Sequence, residues 1–133
     1  VQYESNNIGK PMENYTRNMW ETITTKNNVD LDGKLIIDIG CGSGRFIEIV
    51  REKKGKVIGI DLSESVEIAG QVYKDDPNVL IIKGDILSLP IKSNIADGVY
   101  SVGVLHHTPK PFEGFSKMSD ICKKNGCSSI EIF

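Results

Sequence analysis

The chain has 133 residues, 39% hydrophobic and 26% charged, with a formal net charge of -2. That length holds about one domain around a single core, and the composition is that of an ordinary globular protein. The charge offers no basic footprint for a nucleic-acid backbone, no window approaches the roughly 18 apolar residues of a membrane helix, and the opening VQYESNNIGK lacks the apolar core of a signal peptide.

Residues 1–30 read as an N-terminal helical segment. Met12, Tyr15, Met19 and Ile23 form one apolar stripe at spacings of three and four, with Pro11 in the first turn. From Lys34 the pattern changes to alternating strands and helices. LIIDI (35–39) is a buried strand, and Arg45 to Lys54 is a helix with Phe46, Ile49 and Val50 on one face. KVIGIDL (56–62) is a second strand, and Ser63 is a plausible N-cap for a helix bearing Val66, Ala69 and Tyr73. NVLIIK (78–83) and ADGVYSVGV (96–104) are the third and fourth strands. A helix with Phe112, Phe115, Met118 and Cys122 on its stripe precedes a fifth strand, CSSIEIF (127–133). Such alternation predicts an α/β fold: a doubly wound, mostly parallel Rossmann-like sheet in order 3-2-1-4-5, three layers αβα, spanning residues 31–133. The chain opens on Val1 and stops on Phe133 within a strand, so C-terminal truncation is expected.

In such sheets ligands bind beyond the carboxyl ends of the strands. After the first strand comes Asp38-Ile-Gly40-Cys41-Gly42-Ser-Gly44-Arg45. Its glycines clear side chains from the path of a ligand. Arg45 stands where a dinucleotide fingerprint needs its third glycine, and an acid two residues before Gly40 suits a cationic group better than a pyrophosphate. Asp61 ends the second strand, 21 residues after Gly40, the spacing of an acid that accepts from ribose hydroxyls. After the third strand, the Asp85 carboxylate can accept from an exocyclic amine while the Ile86 N–H donates to a ring nitrogen, a way to read adenine. After the fourth, Gly103 permits close approach, and His106 and His107, the chain's two histidines, fall on the same edge. Each feature alone is an ordinary turn; together, in order, they point to a nucleoside ligand. Cys41, Cys122 and Cys127 suggest a reducing, cytoplasmic setting by default, and no set of residues is spaced for a metal.

These residues resemble the class I, Rossmann-like methyltransferases that use S-adenosylmethionine. LIIDIGCGSGRF looks like the family's first motif, hh(D/E)hGxGxG; IDLS, KGDILSLP and DGVYSVGVLHHTPKP look like the next three regions, in order, over residues 33–133. LHHTP also resembles a subgroup of small-domain members. The resemblance implies S-adenosyl-L-methionine as cofactor. Asp38 would hold its ammonium; Gly40, Cys41 and Gly42 would pass beneath the methionine part. Asp61 would take the ribose hydroxyls and Leu62 would pack on adenine. Asp85 and Ile86 would read the base, and Ser101 and Val102 would line the methionine side. His106 and His107 are candidate general bases if the acceptor must lose a proton. The expected activity is methyl transfer to a small-molecule acceptor, with no nucleic-acid or membrane partner and no signal for oligomeric state. The N-terminal helical segment is a possible cap over the site. Two rival readings are a nucleoside-binding module without catalysis and an NAD-dependent oxidoreductase.

Overall fold

The computed structural model describes residues 30–131. The helical segment expected in residues 1–30 therefore lies outside the described residues, Asp30 excepted. The described elements are β1 (Leu35–Ile39), α1 (Ile47–Glu52), β2 (Lys56–Asp61), α2 (Val66–Val72), β3 (Val79–Lys83), β4 (Ala96–Val102), a 3-10 turn (Leu105–His107), α3 (Pro111–Ile121) and β5 (Cys122–Glu131). The five strands form one sheet in order β3-β2-β1-β4-β5, and every ladder is parallel. That is the topology expected from the strand–helix alternation, since a parallel return needs a crossover long enough to hold a helix.

The two faces of β1 carry different cores. Ile36 joins Phe46, Ile47, Val50 and Val57 under α1 and α2, with Val66 contributed by α2. Ile37 and Ile39 join Ile60, Val99, Met118 and Ile121 under α3. Ile37 and Ile47 are fully buried. Each such side chain contributes roughly 1.5–3 kcal/mol by leaving water. At the opposite end from the ligand edge, the Asp97 carboxylate accepts from the Leu35 N–H at 2.9 Å and pairs with Lys123 at 3.1 Å, fastening β1 and β5 to the start of β4. The Leu35 bond, more than Lys123, holds that carboxyl below its ordinary range.

Four local expectations are corrected. Helix α1 starts at Ile47, two residues later than Arg45, because the glycine turn runs on through Phe46. Ser65, not Ser63, occupies the N-cap of α2; the Ser63 hydroxyl is turned to Asp61 instead. Helix α3 buries Gly114, Met118 and Ile121, whereas Phe112 is 88% exposed and Phe115 48%. The stripe was misread because Gly114 has no side chain to register as apolar. A β-carbon there would stand 2.9 Å from Leu105, so the glycine is what lets the helix close on the 3-10 turn. The fifth strand also begins earlier than expected, at Cys122, with a shift in pairing between Ala96 and Gly98. Among the described residues no helix is long and apolar enough to cross a membrane, and no group of three His, Cys, Asp or Glu could hold a metal ion.

Candidate functional site

Parallel strands bring four sequence-distant turns to one edge. A cavity of about 250 Å³ opens there, close to the roughly 300 Å³ lower bound of small-ligand pockets. Its walls are Ile39 and Gly40 at the end of β1, Ile60 to Ser63 at the end of β2, Gly84 to Ile86 after β3, and Val104 with His107 to Pro109 after β4.

The glycine turn is fixed from beneath by β2. The N–H groups of Gly40 and Cys41 both donate to the Ile60 carbonyl, at 2.7 and 3.1 Å. Gly42 donates to Asp61 Oδ2 at 2.7 Å. Gly40 has φ of 78°, the left-handed region, and a β-carbon on it would lie 2.2 Å from a Val104 methyl. Only glycine meets both demands. Val104 thus closes over the turn from the β4 side.

Asp61 is half-buried at the cavity wall. Besides Gly42, its carboxylate accepts from the Ser63 N–H at 2.7 Å and the Ser63 hydroxyl at 2.6 Å. Leu62 beside it is 67% exposed, a flat apolar surface at the cavity wall. Asp85, after the neighbouring strand β3, also lines the cavity, its carboxylate capping the following turn through the Leu87 N–H at 2.9 Å. The Ile86 side chain is buried, so this residue presents mainly backbone.

Asp38 is not a wall residue. It is 2% exposed, behind the glycine turn, and accepts from the Tyr100 hydroxyl at 2.8 Å. Burial pushes its carboxyl up to about 7; the Tyr100 bond opposes that shift, Asp61 adds to it and Arg45 opposes it. Cys41 is buried in the core under α1, its thiol pushed far up by burial and by Asp38, so this thiol is not an available nucleophile. Ser101 is fully buried, and its Oγ has no hydrogen-bond partner among the described residues. Val102 packs on the α1 side. His107 is exposed at the cavity rim; His106 shares its 3-10 turn. The structure therefore brings Gly40, Asp61, Leu62, Asp85, Ile86 and His107 to one cavity and sets Asp38, Cys41, Ser101 and Val102 behind it.

Sequence reasoning missed Val104, Thr108 and Pro109 as wall residues, and Tyr100 as the partner of Asp38. The first three lay within a segment already placed at the ligand edge. Tyr100 could not be found, because its alignment beside Asp38 is a matter of sheet register, Asp38 facing Tyr100 across β1 and β4.

Comparison with known proteins bears directly on this geometry. The family described as methyltransferase domain matches residues 37–130. A tRNA U34 carboxymethyltransferase of Pseudomonas fluorescens is 30% identical over 123 residues, covering 90% of this chain and 39% of that protein. The demethylmenaquinone methyltransferase of Lactococcus lactis is 31% identical over 115 residues, covering 81% of this chain and 45% of that protein. A structure of an S-adenosylmethionine-dependent methyltransferase from Methanococcus maripaludis superposes with a TM-score of 0.72 at 25% identity, over 84% of this chain and 52% of that one. The chain spans about two fifths of the length of the tRNA-modifying relatives it matches.

The expectation of no nucleic-acid partner is corrected by these relatives, since several are named for tRNA, beside one named for demethylmenaquinone. Net charge failed as a guide because a backbone-binding patch is a local feature, and a chain covering two fifths of a relative does not report the charge of the remainder. The cofactor implied by the family is S-adenosylmethionine, and the residues fit it: a carboxylate at the tip of β2, an exposed leucine beside it, and a turn kept clear by glycines, all on one cavity. A match of the family over most of the chain, on the fold and edge where those residues converge, makes this chain a member of the methyltransferase-domain family.

Proposed function

We propose that this domain binds S-adenosylmethionine in the cavity at the carboxyl edge and serves methyl transfer to an acceptor held on the β4 side. The observation that carries the reading is the convergence on one cavity of the turns after β1, β2, β3 and β4. Bound there, the cofactor supplies a methyl group activated by its sulfonium.

The chain's own residues then do the placing. Asp61 accepts from the two ribose hydroxyls. Three of its roughly four acceptor positions are already in use, so the Ser63 hydroxyl must yield its place, and it has Ser65 Oγ at 2.6 Å to turn toward. Leu62 packs on adenine, Asp85 accepts from its amine and the Ile86 N–H donates to its ring. Gly40, Cys41 and Gly42 lend backbone to the methionine part, whose ammonium goes to Asp38, while Ser101 and Val102 support that side from β4. Holding the two reactants in line supplies roughly 7–11 kcal/mol of barrier reduction. His106 and His107 are the candidate bases. The names of the relatives give tRNA and demethylmenaquinone as acceptors to assay first.

Calorimetry on the full-length protein tests the reading. S-adenosylhomocysteine binds and NADH does not. Binding of NADH alone would make the protein an oxidoreductase, and binding of neither would make the cavity an empty scaffold.

A further inference from the structure

We propose that Tyr100 is a positioning residue for the amino-acid end of the cofactor: its hydroxyl, aligned by a ring contact with Phe46, orients the Asp38 carboxylate that receives the ammonium. The proposal rests on the role of Asp38 given above.

Tyr100 and Asp38 are neighbours across two central strands, 4% and 2% exposed, with hydroxyl and carboxylate 2.8 Å apart. Tyr100 belongs to the same apolar cluster as Ile36, Val50, Val57 and Val66. A hydroxyl in such a core costs free energy unless it is paired, and a carboxylate costs more. Burial wins over the hydrogen bond at Asp38, leaving its carboxyl at about 7. The pair is thus a poor way to stabilise a sheet and a suitable way to hold an acceptor ready for a cation.

The ring geometry links this pair to the cofactor turn. Phe46, which closes the glycine turn, meets Tyr100 edge to face, with ring centroids 6.0 Å apart and planes at 83°. The Arg45 guanidinium lies 4.7 Å from the centre of the Phe46 ring. The charged and titratable groups acting on Asp38 are Tyr100 on β4, Asp61 at the tip of β2 and Arg45 in the turn, and Asp38 in turn acts on the Cys41 thiol. Tyr73, after α2, acts on Tyr100 in turn.

The test measures binding of S-adenosylhomocysteine and of 5′-methylthioadenosine, which lacks the amino-acid end, to the full-length protein between pH 6 and 8.5. Wild-type affinity for the first ligand declines below pH 7, as Asp38 takes up a proton. Tyr100→Phe keeps the ring but loses the donor that favours the charged carboxyl, so the decline starts about one pH unit higher. The loss is about fivefold at pH 7 and less than about twofold at pH 8.5, while methylthioadenosine affinity is unchanged. Equal weakening of both ligands with an unmoved profile overturns the proposal and makes Tyr100 a packing residue. Asp38→Asn separates the two ideas. If it abolishes the pH dependence, the ammonium assignment stands whatever Tyr100 does. If its profile is that of the wild type, the assignment itself is wrong and the role of Tyr100 goes with it.

Discussion

Two turns meet at the carboxyl edge, and they are built differently. The turn after β1 is tied to another strand: Gly40, Cys41 and Gly42 all donate to β2, and Asp38 is bonded to β4. The turn after β4 is tied mostly to itself. The His107 N–H returns to the Val104 carbonyl at 2.9 Å, and Thr108 returns to Leu105 through its N–H at 3.1 Å and its hydroxyl at 2.8 Å. The first is therefore preorganised by the sheet, as a site for an invariant ligand should be. The second is held by local bonds and anchored by the buried Leu105, while its outer residues His107 and Pro109 are exposed and can change with the acceptor.

That contrast sets an order of effects on stability and cofactor binding. Gly40→Ala has the largest. It forces a side chain into the left-handed region and against Val104, costing on the order of 2–5 kcal/mol. Denaturant unfolding and loss of S-adenosylhomocysteine binding read it out. Adding Val104→Ala removes the two methyls at 2.2 and 2.7 Å but keeps the β-carbon at 2.8 Å, so it restores part of the loss due to the clash and leaves the backbone strain. No recovery in the double variant would mean that Val104 yields freely.

Asp38 comes next, with a stated sign. Its folded carboxyl is raised from 3.8 to about 7, so its contribution favours folding below pH 4 and is lost as pH rises through 7. Asp38→Asn removes that loss and makes the ligand-free protein more stable at pH 8 by a few kcal/mol. The same variant binds S-adenosylhomocysteine more weakly. Urea midpoints at pH 5 and pH 8 check the sign: the gap between variant and wild type must grow with pH. Asp76 and Asp97, held below their ordinary range, act in the opposite direction at lower pH, and the variant leaves them unchanged.

Asp61→Ala follows, weakening S-adenosylhomocysteine at least about tenfold through lost charge-assisted bonds. It also removes the acceptor for Gly42, so the turn loosens slightly. Unchanged affinity would make Asp61 a turn residue and leave the comparison without its main cofactor contact. His107→Gln has the smallest effect on the cofactor, under about twofold in affinity. If His107 is the base, the variant slows turnover and flattens the acid limb of the rate profile. A fall in cofactor affinity alone would place this turn with the first.

The sequence by itself determined the strands, their parallel order and which turns share an edge. Alternating apolar runs leave few topologies once connections must be short and right-handed. Asp61 was legible because its spacing from the glycines is set by one helix and one strand, a local length. What lay behind the edge was decided only by tertiary structure. Whether Asp38 lines a wall or sits buried under a tyrosine depends on the register of β1 against β4, which pairs residues 62 positions apart. The buried face of α3 depended on Leu105 entering the gap at Gly114, a contact between side chains that hydrophobic periodicity does not encode. Spacing along the chain fixes what is local; register and close packing fix which side chain meets which, and those arise only when the layers come together.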